Sequence, residues 1–257
     1  MRLILIRHGQ SVGNVDHKKY SELGDCNVGL TDLGWEQAIN AGEFLHSHFI
    51  KNDIDEWPRL YVSSYLRPKQ TLSGILHGLD GTFDGEPNLH EDARLIEHFF
   101  GAATRLAHPE GILDWRVAAD LKRLGTHVYD KDKFMTRNLL GESKMDTYSR
   151  IRSFGEGTLT MRAHEFDEDI AVVVAHGAVI REFMRFYGDL TTEASIDVCN
   201  NCDVIEIIGE PGACTITKVY DGELMKPANE LYIDHLKPFN MSDLPEIPDH
   251  ILDKLEP

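Results

Sequence analysis

Two arginines, two histidines and one glutamate stand in this chain where short apolar runs give out. Arg7-His8-Gly9 follows the unbroken run at 3–6, and His176-Gly177 closes the run at 170–175. Arg67 comes five residues after Leu60-Tyr61-Val62, and Glu97-His98 follows Leu95-Ile96. Polar side chains at the carboxyl ends of central strands lie where open α/β sheets hold their ligands. A lone buried histidine is ordinarily a hydrogen-bonded core residue. Two histidines each followed by glycine, with two arginines at matching strand ends, point instead to a site that gathers positive charge. Such a site suits a small anion.

The elements that must position these groups follow from the pattern of apolar residues. Leu3, Ile4, Leu5 and Ile6 read as a strand buried on both faces, and residues 170–175 as the most strand-like run in the chain. Thr31 is an N-cap with Asp32 in the positive first turn, and Trp35, Ala38, Gly42, Leu45 and Phe49 continue at helical spacing over about 31–50. Residues 60–62 read as a second strand that runs into a helix around Arg67, and Leu95-Ile96 as a third apolar stretch ending on Glu97. From about 99 to 140 the pattern is irregular and carries Arg105, His108, Arg116, Arg123 and Arg137, which predicts a cap outside the sheet. Ser143 with Asp146 is a capping-box variant opening a helix through about 163, weakened at Gly155 and Gly157, where another backbone is expected to approach. Ile180, Phe183, Met184 and Tyr187 mark a helix stopped by Gly188. Residues 204–208 and 215–219 read as two closing strands around a turn at 209–212. Alternating strands and helices without an internal repeat predict one α/β domain over 1–225, with the cap excursion at about 99–140. Residues 226–257 read as a Pro-rich acidic tail, since the stretch from Pro227 holds five of the ten prolines and no long periodic segment.

Composition narrows the function further. The chain has 257 residues, 42% of them hydrophobic, which suffices for a sizeable core. A formal net charge of −17 repels a phosphate backbone and an anionic membrane surface alike, so neither nucleic acid nor membrane is an expected partner. No run approaches the ~20 apolar residues of a membrane span, and the first apolar run is too short for a signal-peptide core. Four cysteines in this length are no disulfide framework, and a cytoplasmic protein, monomeric or homodimeric, is expected. Cys199-Asn-Asn-Cys202 is a lone C-x-x-C and reads as ordinary loop chemistry. His46 and His48, two apart on one helix, do not face each other and make no metal pair. The sequon Asn240-Met-Ser242 carries no weight without a secretion signal.

Taken together, Arg7-His8-Gly9 with Asn14, Gly29-Leu30-Thr31-x-x-Gly34-x-x-Gln37-Ala38, Ser63 and Arg67 with Gln70-Thr71, Leu95-x-Glu97-x-x-x-Gly101, Gly141-Glu142-Ser143 with Arg150, and His176-Gly177 with Ile180-Arg181 resemble the motifs of the histidine phosphatase superfamily. This group is also called the phosphoglycerate mutase-like family, and the motifs run in order over roughly 1–220. Gly13-Asn14-Val-Asp16 with Tyr20, and Asn201-Cys202, look most like its broad-range or unassigned phosphatases. The resemblance implies a three-layer sandwich with a mostly parallel central sheet, helices on both faces and an inserted cap region.

The resemblance also implies residue roles. His8 would be the nucleophile, forming a phosphohistidine, and Glu97 the proton donor and later the base for water. Arg7, Arg67, Asn14 and His176 would hold the phosphoryl oxygens, His176 also steadying charge in the transition state. No metal or other cofactor would be needed. Ala-Ala-Thr-Arg after Gly101 departs from the Trp-Glu-Gly of many members, and the stretch by which true mutases hold their substrate is absent. The expected activity is therefore that of a histidine acid-type phosphatase, a metal-independent hydrolase of a small phosphomonoester. The alternatives are mutase-type phosphoryl transfer and a non-catalytic binding module on the same fold.

Overall fold

The computed structural model describes residues 1–101, 134–135, 137, 141–166, 169–190, 196 and 199–232. Most of the expected cap, with Arg105, His108, Arg116 and Arg123, lies outside the described residues, as do 233–257 with the sequon at Asn240.

The centre is a seven-stranded sheet in the order β3-β2-β4-β1-β5-β6-β7. Its strands are β1 (Arg2–Arg7), β2 (Arg59–Val62), β3 (Leu89–Glu91), β4 (Ile170–Ala175), β5 (Val204–Glu210), β6 (Ala213–Asp221) and β7 (Lys226–Leu231). Strands β1 to β4 are mutually parallel, β5 is antiparallel to β1, and β6 and β7 continue antiparallel pairing. Only β5 and β7 therefore run against the rest, and the sheet is mostly parallel as expected.

Strand alternation builds the two helix layers. Leu3 and Leu5 of β1, with Ala171, Val173 and Ala175 of β4, share a core with Ile151 and Phe154 of helix α5 (Lys144–Phe154) and Ile180 and Phe183 of helix α7 (Gly177–Tyr187). Ile4 and Ile6, with Val172 and Val174, face Ala38, Leu45 and Phe49 of α3 (Asp32–Lys51) and Leu72 and Ile75 of α4 (Leu66–Gly78). The four apolar side chains of β1 are all at most 1% exposed, each contributing on the order of 1.5–3 kcal/mol by burial. That is why a hydrophobic run without polar alternation was the right signature of this strand. Two short helices, α1 (Val12–Val15) and α2 (Lys18–Leu23), fold over the end of β1.

Three elements differ from the sequence expectation. Leu95-Ile96 is no strand: Ala93–Leu95 is a 3₁₀ turn capped by Asp92, and the true strand β3 lies upstream at Leu89–Glu91. Glu97 thus reaches the site from a turn, and Leu95 is buried as the turn's anchor. After α5 the chain makes a π-helical stretch, Gly155–Thr160, before α6 (Met161–Phe166). A Cβ at Gly155 would lie 2.7 Å from the Phe186 ring, so this glycine admits an aromatic side chain where a backbone was expected; Gly157 faces nothing within 4 Å. Lys226–Leu231, assigned to the tail, is edge strand β7. Pro227 is tolerated there because an edge strand needs no hydrogen bonds on its outer side. Among the described residues no helix is long and apolar enough to cross a membrane.

Candidate active site

The register of the central pair builds the site. Arg7 of β1 lies opposite Ala175 of β4, so the next residue of each strand, His8 and His176, emerges side by side. The His8 amide donates to the Ala175 carbonyl at 2.9 Å, and the two imidazoles meet edge-on with centroids 5.3 Å apart. Beyond His8 the chain passes against the start of α3. A Cβ on Gly9 would lie 2.4 Å from the Gly34 carbonyl oxygen, and one on Gly34 would lie 2.0 Å from that of Gln10. Only paired glycines allow that approach.

His8 is buried, and its Nδ1 lies 2.8 Å from the Gly9 carbonyl oxygen. A carbonyl only accepts, so Nδ1 carries the proton and Nε2 keeps its lone pair. Arg67 Nε donates to that nitrogen at 3.2 Å. Burial, with the charges of Arg67 and Arg7, holds the His8 pKa well below the ordinary histidine value. The ring is therefore neutral at physiological pH.

The two guanidinium groups are anchored differently. Arg7 Nη1 donates to the Cys199 carbonyl at 2.6 Å, whereas its buried Nε has no hydrogen-bond partner among the described residues. Arg67, at the start of α4, is 1% exposed. Its Nη1 meets the Asp25 carbonyl at 2.7 Å and the Asp25 carboxylate at 2.8 Å. The rings of Tyr20 and Tyr65 pack on the same guanidinium, with centroids 5.6 and 5.3 Å from Cζ. Tyr20 in turn rests on Gly13, where a Cβ would come within 2.5 Å of the ring.

His176 shares its Nε2 with the Ser63 hydroxyl at 2.8 Å, while its buried Nδ1 has no hydrogen-bond partner among the described residues. Burial, then the positive charge of Arg67 and the neighbouring His8, pushes its pKa well below the usual value. The edge of the Tyr65 ring completes this wall, 5.2 Å from His176 between centroids. Burial and the Asp25 carboxylate raise the Tyr65 phenol to about 12, so it stays protonated. Asn14 enters through its own capping box. Its Oδ1 accepts from the Ser11 amide and hydroxyl, both at 3.0 Å, and from Asn201 Nδ2 at 3.3 Å. With the oxygen so occupied, the amide nitrogen is the end left to donate to a ligand.

Glu97 is partly buried. One carboxylate oxygen accepts from the His98 amide at 2.9 Å, yet burial raises the pKa above the usual carboxylate range. The charges of Arg67, Asp25 and Arg7 all act on it, which places it within electrostatic reach of the two histidines' pocket. Its backbone is held from α5. Arg150 donates to the carbonyls of Arg94 and, at 3.3 Å, Glu97, and grips the Glu142 carboxylate at 3.0 and 3.1 Å. Glu142 closes the staple by accepting from the Phe99 amide at 2.9 Å. Next to Glu97, buried His98 is tied through Nδ1 to the Thr147 hydroxyl at 2.8 Å.

His8, His176, Arg7, Arg67 and Asn14 thus come together, with Glu97 at their margin. Sequence reasoning did not single out Asp25 or Tyr65, and it named Arg150 with Glu142 in a motif without revealing its hold on the Glu97 turn. Asp25 lies in a stretch without periodicity, and only the seating of the 3₁₀ turn Asp25–Asn27 against α4 reveals its partner. The Cys199–Cys202 loop, read as ordinary, serves through its backbone and Asn201: the Asn201 amide also donates to the His8 carbonyl at 2.9 Å. Its two thiols are buried and stay protonated, that of Cys199 raised to about 12 by burial.

The sequence pattern of the histidine phosphatase superfamily (branch 1) matches residues 3–222. A phosphoglycerate mutase-like protein of Arabidopsis thaliana is 30% identical over 194 residues, 71% of this chain and 56% of the relative. A second such Arabidopsis protein is 29% identical, with 64% of its length covered, so the chain spans less than two thirds of either plant relative. A 2,3-bisphosphoglycerate-dependent phosphoglycerate mutase of Porphyromonas gingivalis is 27% identical over 77% of this chain and 82% of its own. Among solved structures, mycobacterial glucosyl-3-phosphoglycerate phosphatase with bound VO3 superposes with a TM-score of 0.59 at 20% identity, covering 84% of this chain and 97% of that one. A putative α-ribazole-5′-P phosphatase from Escherichia coli gives 0.57 at 22%, covering 85% and 95%. These two likenesses concern the fold, whereas the sequence pattern spans most of the chain, both histidine loops included. The chain belongs to the histidine phosphatase superfamily.

Proposed function

We propose that this protein is a phosphomonoesterase that hydrolyses a small phosphorylated substrate through a covalent phosphohistidine on His8. The observation that carries the reading is the state of that ring. Nδ1 is fixed as donor to the Gly9 carbonyl, and Nε2 is a neutral lone pair beside a buried guanidinium. On binding, a phosphoryl oxygen takes over the Arg67 Nε–H, and the unpaired Arg7 Nε–H receives another. Both contacts strengthen as charge spreads over the equatorial oxygens. His8 Nε2 then bonds to phosphorus as the ester P–O bond breaks, and Glu97, whose buried setting favours the protonated form, gives its proton to the departing alkoxide. Glu97, now a carboxylate, takes a proton from water. The water oxygen bonds to phosphorus, the P–N bond breaks, and free His8 and inorganic phosphate result. His176, with Nε2 taken by the Ser63 hydroxyl, donates to a phosphoryl oxygen through Nδ1. The two guanidinium groups supply the positive charge, so this route uses no metal. Four free thiols agree with a reducing cytoplasm.

Phosphoryl transfer between two hydroxyls of one substrate is the second reading, favoured by the likeness to the Porphyromonas mutase. One phosphorus NMR time course separates them. With 3-phosphoglycerate and a trace of 2,3-bisphosphoglycerate, inorganic phosphate should exceed any 2-phosphoglycerate formed, or neither substrate should react. Rapid isomerisation with almost no free phosphate would make the mutase reading primary. Acid-quench labelling with a radioactive phosphoester should trap acid-labile phosphate on wild type and none on His8→Ala.

A further inference from the structure

Arg67 does not meet the phosphate alone: an acidic side chain is attached to the guanidinium edge that its Nε–H does not use. Asp25 Oδ1 is sealed from solvent against Nη1 at 2.8 Å, and the Asp25 carbonyl accepts from the same nitrogen at 2.7 Å. Tyr20 and Tyr65 pack on the guanidinium, which therefore keeps one orientation. A carbonyl alone would give that alignment; the carboxylate adds a charge. The fixed charges of the described pocket are Arg7, Arg67 and Asp25, while burial disfavours the charged forms of His8, His176 and Glu97. Asp25 cancels half of the positive charge.

Its position gives this charge a consequence. His8, His176 and Arg67 are each 2% exposed or less, while Asp25, Tyr20, Tyr65 and Glu97 are partly exposed. The pocket is therefore sealed at the nucleophile and opens past Asp25 and Glu97. The ester oxygen must leave toward Glu97, so the non-phosphate part of the substrate passes this same rim. We propose that Asp25 determines specificity there: it aligns Arg67 and repels a second anion, so that the site selects phosphates of neutral alcohols, such as polyols and sugars, over phosphates that also carry a carboxylate or a second phosphate. This rests on the phosphomonoesterase reading and names its substrate class.

Glycerol 3-phosphate and 3-phosphoglycerate form the probe pair, because they share a three-carbon skeleton and differ in a hydroxymethyl group against a carboxylate. Wild type should favour the first by at least tenfold in kcat/KM, the scale of one unscreened charge near a pocket rim. Asp25→Asn keeps an oxygen toward Arg67 Nη1 and removes the charge. It should shrink the preference about tenfold, whatever its absolute rate, and inorganic phosphate should inhibit it more tightly than wild type. Equal kcat/KM for the two esters in wild type overturns the proposal without any variant, which covers an Asp25→Asn protein that does not fold. A variant slowed equally on both esters, with the ratio unchanged, also overturns it and leaves Asp25 a structural anchor. If wild type releases no phosphate from either ester or from p-nitrophenyl phosphate, the phosphomonoesterase reading itself has failed.

Discussion

Replacing Arg150 with alanine should disarm Glu97 while leaving its carboxyl group unaltered. Arg150 is 14% exposed and Glu142 22%, so their bidentate pair is shielded but not fully dry. Truncation removes the hydrogen bonds to the carbonyls of Arg94 and Glu97 and leaves Glu142, whose pKa Arg150 holds down against the pull of burial, without its cation. Breaking a fully buried pair costs about 3–5 kcal/mol, and this partial exposure brings the expectation to about 2–3 kcal/mol. For a chain of this size that is a fall of about 5–10 °C in Tm, measurable by circular dichroism. The 94–99 turn would then lose its hold from α5. A displacement of about 1 Å at a reacting group costs on the order of 10²-fold. That loss should fall on alkyl phosphates, whose leaving group needs the Glu97 proton, and spare p-nitrophenyl phosphate, whose phenolate leaves unaided. In a Glu97→Gln background Arg150→Ala should add little, because the group it positions is gone. Equal losses on alkyl and aryl esters, or full additivity with Glu97→Gln, would refute the reasoning and leave Arg150 a stabilising pair only.

Three further outcomes are expected. Glu97→Gln should abolish the alkaline fall of kcat on alkyl esters, because in wild type that limb is the raised Glu97 pKa losing its proton; steady-state rates across pH check it. Arg7→Ala and Arg67→Ala should each lower turnover on the order of 10²-fold or more, as removal of one charged transition-state donor does, with added Mg²⁺ giving no rescue. Unfolding free energy should fall as pH drops below about 6.5, because His8 and His176 have folded pKa values below their unfolded ones and the unfolded chain binds more protons there. Urea titrations of wild type and His176→Gln at pH 7.5 and 5.5 should show the smaller loss in the variant.

What the sequence revealed of this fold depended on how each residue earns its place. Strands β1 and β4 were plain because a strand covered on both faces must be apolar at every position, and α3 because Thr31 caps it and its buried face keeps helical spacing. Strand β3, Leu-His-Glu at a sheet edge with Leu89 and Glu91 exposed, bears no such mark, and buried Leu95 nearby drew the assignment instead. Strand β7 hid behind Pro227 and a polar composition that an edge tolerates. In the site, the two histidines and two arginines were legible from their place after apolar runs. Asp25 and Tyr65 were not, and Arg150 was visible only as a motif residue, since each acts on a partner distant in the chain, Arg67, His176 and Glu97 in turn, through contacts only the assembled protein makes.

The pairing of β1 with β4 bears on how this protein comes into being. The two histidine loops stand near opposite ends of the domain's sequence, and β4 is the strand that lies between β1 and β2. During synthesis from the N-terminus, β1 and β2 therefore have no common neighbour until residue 170 has left the ribosome. Until then both carry unpaired edges and uncovered apolar faces, a condition that invites association between nascent chains. Arrival of 170–175 joins the two strands and sets His176 beside His8 in the same step. The meeting of the two histidines is thus tied to completion of the central sheet, and a fragment ending before 170 would carry His8 without its neighbour.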